Sequence, residues 1–412
     1  MFKFSFVDES DDEDVQVVAT SAAHSREPGP SQDHTLADLI KTLPDVISYS
    51  PLPHPSGGAP LLRRDLYDAR FQLAVRGGEE GGQDEDAYVD ADTDLIPGTY
   101  EGGLKSWEGG VDLVEVISAA TKGNEADWVR DSKVLELGCG TGLPSAYLLR
   151  CLLSSSLPPG KTVIHVQDYN LPVLSLVTLP NLVLAALPSL PLSARGAAEA
   201  AALPRPPKSD TIEEEPENEE DWQDQDEDED IKRPFDPNAA GTLELSPAVL
   251  DAFTSLLEER GVELKFTSGD WGGMAQSVGS YDLIMSAETI YAEDSVGPLL
   301  DVIRAASASS KKENGKENDL SDSLGALQID DFTRAPLSEG SSVILIAAKV
   351  LYFGVGGGLD AFLGQVEGLG GWSVRVRDWV RGLGGRSCVS GGNKVDVMVE
   401  SRVETSWSAQ AD

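Results

Sequence analysis

Cysteine is scarce in this chain of 412 residues: Cys139, Cys151 and Cys388 are the whole set. An odd count at spacings that match no zinc pattern predicts neither a disulfide framework nor a metal site, and with them a reducing compartment. Histidine is nearly as rare. Of His24, His34, His54 and His165, three fall in the N-terminal region and the fourth inside an expected strand, so none reads as catalytic. Basic residues are outnumbered: 32 Lys and Arg stand against 70 Asp and Glu, a formal net charge of -38. Phosphate binding needs a basic footprint, so nucleic acid is not expected as a direct ligand, and a basic protein partner fits better. Long apolar runs are missing as well. No segment reads as the roughly 20 apolar residues of a membrane span. The start, M-F-K-F-S-F-V-D-E-S, lacks a signal peptide's apolar stretch and turns acidic at once. The expectation is a soluble intracellular protein that binds no membrane.

What the chain does have is unevenly placed. Residues 1–34 are acidic and then Ser/Pro-rich, and are expected to be disordered. Residues 35–95 read as an accessory region and linker: Leu36, Leu39, Ile40 and Leu43 sit at helical spacing, Asp45–Pro51 is extended, Arg63–Leu73 is helix-like, and 77–94 is a loose Gly/Glu/Asp linker. A denser unit spans 96–402, with a tail at 403–412. Insertions interrupt it at 203–240 and 307–340, both expected to be disordered. From Asp210 to Asp230 there are fourteen acidic and no basic residues, a run that repels itself and stays solvated.

Strands are expected at Lys133–Leu137, Thr162–Gln167, Val262–Thr267, Asp282–Ser286 and Val343–Ala348, with helices between them. Pro180 should kink or break the helix that starts near Leu171. Val374–Val380 and Val395–Val399 alternate and read as a closing antiparallel hairpin. The fold class is α/β: a doubly wound, Rossmann-like, seven-stranded and mostly parallel sheet with a terminal antiparallel hairpin, plus an N-terminal extension and the two insertions. Ligands of such sheets bind at the carboxyl ends of the strands.

The residues after each expected strand therefore carry the argument. Val134 to Gly142 read V-L-E-L-G-C-G-T-G. A dinucleotide fingerprint, G-x-G-x-x-G, would need Gly or Ala at 143, where Leu143 stands; the third glycine comes one residue early, at Gly142. That form resembles the turn of S-adenosylmethionine-dependent methyltransferases. After the second strand come Asp168, Tyr169 and Asn170. A carboxylate there can accept both hydroxyls of a ribose, or can cap the following helix. After the third come Gly269, Asp270 and Trp271; the Asp suits an adenine amino group and the Trp its ring, and an exposed turn with a packing Trp would read the same. After the fourth comes S-A-E-T-I-Y, in which Glu288 and Tyr291 form a D/E-x-x-Y pattern able to orient a nitrogen nucleophile. Trp107, ahead of the first strand, could cover a sulfonium or anchor packing.

Five runs together resemble one family: E-G-G-L-K-S-W-E at 101–108, E-L-G-C-G-T-G-L at 136–143, D-Y-N at 168–170 with V-T-L-P-N at 177–181, S-A-E-T-I-Y at 286–291, and A-A-K at 347–349 through Y-F-G-V-G-G-G at 352–358. The chain resembles the histidine protein methyltransferases, within the seven-strand class of protein methyltransferases. The resemblance implies S-adenosylmethionine as donor and a histidine of a large-subunit ribosomal protein as acceptor. It also implies cofactor contacts at Ser106, Trp107, Glu108, Gly138, Gly140, Asp168, Tyr169, Asn170, Gly269, Asp270, Trp271 and Ser286. Glu288 and Tyr291 are the expected catalytic pair, no metal is expected, and the protein is expected to be a monomer of the cytoplasm and nucleus. A lysine methyltransferase on the same fold and a non-catalytic acidic chaperone are the alternatives.

Overall fold

The computed structural model describes residues 29–54, 57–80, 103–196, 198–200, 233–307, 336–339, 342–349, 358–368, 372–379 and 393–400. Residues 1–28, the acidic run Asp210–Asp230, most of the second insertion, the Tyr352–Gly357 loop, Cys388 and the tail lie outside them. The strands are β1 (Ser31–His34), β2 (Val46–Leu52), β3 (Leu61–Arg64), β4 (Lys133–Leu137), β5 (Thr162–Asp168), β6 (Ala198–Ala200), β7 (Arg233–Pro234), β8 (Gly241–Glu244), β9 (Val262–Gly269), β10 (Leu283–Ala287), β11 (Val343–Lys349), β12 (Trp372–Trp379) and β13 (Asn393–Glu400).

A central sheet runs β1-β9-β5-β4-β10-β11-β13-β12. Its inner strands are apolar on both faces because helices cover both. Alternation along each strand assigns the faces. Val134, Leu283, Met285 and Leu345 join the core shared with helices Glu108–Thr121, Leu143–Ser154 and Pro247–Arg260. Leu135, Leu137, Ile284 and Ile346 join the core under helices Glu293–Ser307 and Leu359–Gly368.

The mostly parallel α/β sheet is as expected; its edges are not. It has eight strands, since Ser31–His34, expected to be disordered, pairs antiparallel with β9. Thr267 Oγ1 donates to Asp33 at 2.5 Å and His34 Nε2 meets Ser268 Oγ at 2.7 Å, so polar side chains hold a strand with almost no apolar content. The closing pair is not a hairpin either. β12 and β13 run parallel to each other, and β13 runs parallel to β11. A parallel pair needs a connection of about a dozen residues, and 380–392 is of that length.

The accessory region is not separate. β2 and β3 combine with the strands flanking the acidic tract in a second, antiparallel sheet, β3-β2-β8-β6-β7. Arg233–Pro234, placed within the first insertion on sequence, is one of its two edge strands. The expected helix from Arg63 begins instead at Leu66, after β3, and runs into the start of the expected linker, to Glu80. This second sheet packs through Ile47, Tyr49, Leu61, Leu62 and Leu243 onto the apolar helix from Leu171. That helix answers two expectations differently. By length and composition Leu171–Ser189 could cross a membrane (mean hydropathy 1.8), yet 83% of its 18-residue apolar stretch is buried inside the molecule. Nor does Pro180 break it: a π-turn at Leu174–Thr178 leads into a regular helix from Leu179. Proline has no N–H for the carbonyl of Leu176, four residues back. The buried guanidinium of Arg64 donates to that carbonyl instead, and pairs with Asp68 at 3.0 Å.

Candidate functional site

Register sets the strand ends side by side. Leu137 pairs with both Gln167 and Ser286, and Asp168 with Ser268. From β4 the chain order runs outward one way through β5 and the other way through β10, so this is the switch point where open α/β sheets bind ligands. A cleft of about 640 Å³, counting its mouth, opens there.

Of the residues expected at the site, Trp107, Gly138, Gly140, Asp168, Tyr169, Trp271, Glu288 and Tyr291 line the cleft. Ser106, Glu108, Asn170, Gly269, Asp270 and Ser286 stand behind or beside it. The Ser286 hydroxyl is committed to the sheet, donating to the Leu137 carbonyl (2.9 Å) and bonded to Thr289 Oγ1 (2.7 Å). Asp270 caps the short helix Trp271–Met274 through the Gly272 N–H at 2.7 Å, while its own N–H reaches the Pro30 carbonyl. Glu108 is exposed and lies 3.7 Å from Lys349. Ser106 Oγ is buried without a hydrogen-bond partner.

Gly138, Gly140 and Gly142 all take left-handed backbone angles, φ 59, 49 and 62°. A Cβ on Gly138 would sit 2.5 Å from the Thr289 methyl, and one on Gly140 3.2 Å from the Gly103 carbonyl. No side chain fits either place, which is the physical content of the motif. Asp168, 5% exposed, accepts the N–H of Gly140 at 2.9 Å and of Asn170 at 3.0 Å, so its carboxylate is held still at the floor of the cleft.

Beyond it, Glu288 is one of three described non-glycine residues with positive φ, at 58°. Such a conformation costs about 1–3 kcal/mol and persists only when its surroundings enforce it. Here the Glu288 N–H donates to the Ala347 carbonyl at 2.8 Å, and Oε1 accepts the Gly109 N–H at 3.3 Å. That amide belongs to the first turn of the helix Glu108–Thr121, the positive end of its dipole. At the mouth, the ammonium groups of Lys105 and Lys349 lie 4.8 and 5.7 Å from the centroid of the Trp107 ring, within cation–π range.

Sequence reasoning missed two buried polar residues. Glu136 also lines the cleft and accepts both the amide (3.0 Å) and the hydroxyl of Ser145; burial lifts its carboxyl to about 7. Gln167 lies behind the cleft wall, fully buried, with every polar atom of its amide bonded. The available signal was a polar residue one place before the end of a strand, since a buried polar group must find partners. Cys139, by contrast, is inert: burial and nearby carboxylates push its thiol well up, so it stays protonated.

Fold and site are those of a Rossmann-like methyltransferase: a mostly parallel sheet whose glycine turn, carboxylate and aromatic residues converge at the switch point. Histidine protein methyltransferase 1 of Saccharomyces cerevisiae is 28% identical over 342 residues, covering 79% of this chain and 74% of its own length. Its counterpart of the same name in Schizosaccharomyces pombe is 25% identical over 378 residues, 89% of this chain and 85% of its own. A homolog from Bos taurus is 30% identical over 282 residues, 67% of this chain and 51% of its own. No protein-family model matches the chain. The chain belongs to the histidine protein methyltransferase family.

Proposed function

We propose that this protein methylates an imidazole nitrogen of a histidine in a basic protein, a component of the large ribosomal subunit, with S-adenosylmethionine as donor. The observation that carries the reading is the meeting, in one cleft, of the left-handed glycine turn, the Asp168 carboxylate and the strained Glu288. The residues fit the cofactor. Gly138 and Gly140 pack against Thr289 and Gly103 where a Cβ would stand, so the turn lines the cleft with bare backbone. Asp168 would hold the ribose hydroxyls, since an ionised carboxylate has about four acceptor sites. Trp271 and Tyr169 offer ring faces for adenine.

When bound, S-adenosylmethionine supplies an electrophilic methyl group. The chain's own task is alignment, which is most of what an in-line displacement needs from its surroundings. A histidine with a pKa of about 6.5 is largely neutral near pH 7, one ring nitrogen bearing a lone pair and the other a proton. Glu288 or the Tyr291 hydroxyl accepts that N–H, turning the lone pair toward the methyl, and no strong base is required. The test is substitution. Glu288→Gln and Tyr291→Phe should each lower kcat on the order of tenfold or more while leaving cofactor affinity within about twofold. Full activity in both would remove them from this role.

The net charge of -38 supports a basic substrate, because complementary fields speed encounter. In the sequence the acidic run falls between β6 and β7, so residues 203–231 can be deleted with both strands kept. The shortened enzyme should show a raised KM for the protein substrate and a flatter salt dependence. An unchanged KM at low salt would reject recruitment by this tract.

A further inference from the structure

Gln167 makes three hydrogen bonds that join loops far apart in sequence. Its Oε1 accepts the Gly138 N–H at 3.2 Å and the indole Nε1–H of Trp271 at 2.7 Å. Its Nε2 donates to the Gly269 carbonyl at 2.8 Å. The orientation of the amide follows from its partners, since Gly138 N–H and the indole can only donate and the carbonyl can only accept. The Gln167 backbone carbonyl accepts the Cys139 N–H at 2.8 Å, so both glycine-turn amides next to β4 end on this one residue. The side chain is 0% exposed and touches no ligand space itself. What it sets is a spacing: the Trp271 ring edge stands 3.5 Å from where a Cβ on Gly138 would be.

We propose that Gln167 is a positioning residue for the cofactor, holding the Trp271 indole against the glycine turn so that both keep their places in the cleft wall where an adenosine moiety would lie. The proposal rests on the reading that this cleft takes S-adenosylmethionine. Other side chains of similar size fail for stated reasons. Methionine would fill the volume and leave two donors and one acceptor without partners. Glutamate would set a second oxygen against the Gly269 carbonyl. Because Glu288 and Tyr291 lie on another loop, loss of Gln167 acts on cofactor binding and not on the orientation of the acceptor.

The test uses the full chain and S-adenosylhomocysteine as the probe, titrated calorimetrically. Failure of the wild type to bind would overturn the reading of the cleft, and this proposal with it. Given wild-type binding, Gln167→Met should weaken the probe on the order of tenfold to a hundredfold, because the ring and the turn would no longer be held in place before the probe arrives. The KM for S-adenosylmethionine should rise in proportion, with kcat at saturating cofactor and the KM for protein substrate within about twofold; a merely structural defect would move all of them. Trp271→Phe keeps a ring but has no N–H to offer. It should weaken the probe at least about fivefold, and Gln167→Met should cost less in that background than in the wild type, because one of its three bonds is already gone. Probe affinity within about twofold of wild type in a folded Gln167→Met protein, or full additivity with Trp271→Phe, would overturn the proposal. If Gln167→Met does not fold, unchanged affinity in Trp271→Phe would do so.

Discussion

Glu136 and His165 give the residue scale its sharpest test, because burial moves them in opposite directions. Glu136 titrates near 7 in the folded protein against 4.5 for a free carboxyl, so its charged form is the costly one. Stability is therefore lower above pH 7 and recovers as pH falls from 7 toward 4.5. His165 is bonded to Tyr281 at 2.5 Å and to Thr267 at 2.7 Å, and desolvation lowers it from 6.5 to about 4. The folded state resists its protonation, so stability is lost as pH falls from 6.5 toward 4. Between about 6.5 and 4.5 the two trends oppose, and the wild type should show a shallow profile there. Glu136→Gln removes one of them. Without cofactor it should stabilise the protein at pH 8 by up to roughly 3 kcal/mol and lose that advantage at pH 5. An equal melting-temperature difference at both values would contradict the burial argument. These two residues were the hardest to read in advance, since a polar side chain within an apolar strand looks the same whether it faces solvent or core. Gly138, Asp168, Glu288 and Tyr291 were legible because each follows a strand end, where any ligand of this fold must sit.

At the scale of elements, the parallel strands were legible almost to the residue because continuous apolar runs leave little choice, as Val343–Lys349 illustrates. Direction was not. Alternation in β12 and β13 is the same for a hairpin and for a parallel pair, and only the length of 380–392 bears on the difference. The second sheet was invisible for another reason: β6 and β7 are three and two residues long, and β3 meets partners far away in the chain. The π-turn before Pro180 shows how such distant elements meet. It leaves the Leu176 carbonyl to Arg64, whose backbone N–H also donates to Asn181 Oδ1 at 2.8 Å. Arg64→Leu should cost on the order of 2–4 kcal/mol, since it strands a buried carbonyl and half of an ion pair. A urea titration reads this directly; a loss below about 0.5 kcal/mol would show that the second sheet is held by its apolar contacts alone.

For the whole molecule, the central claim is that a cofactor-binding sheet, a strand-end cleft and an acidic surface serve one reaction on a basic protein. The donor side is argued from cleft geometry, and the acceptor from family membership and charge. The decisive measurement is therefore methylation in vitro. The purified protein is given labelled S-adenosylmethionine and ribosomal proteins from a strain lacking this chain, and the modified residue is read by mass spectrometry. The account predicts a single methylated histidine on one large-subunit protein, abolished or strongly reduced in Glu288→Gln. Label on lysine would contradict the acceptor; no label on any ribosomal protein would contradict the proposed substrate.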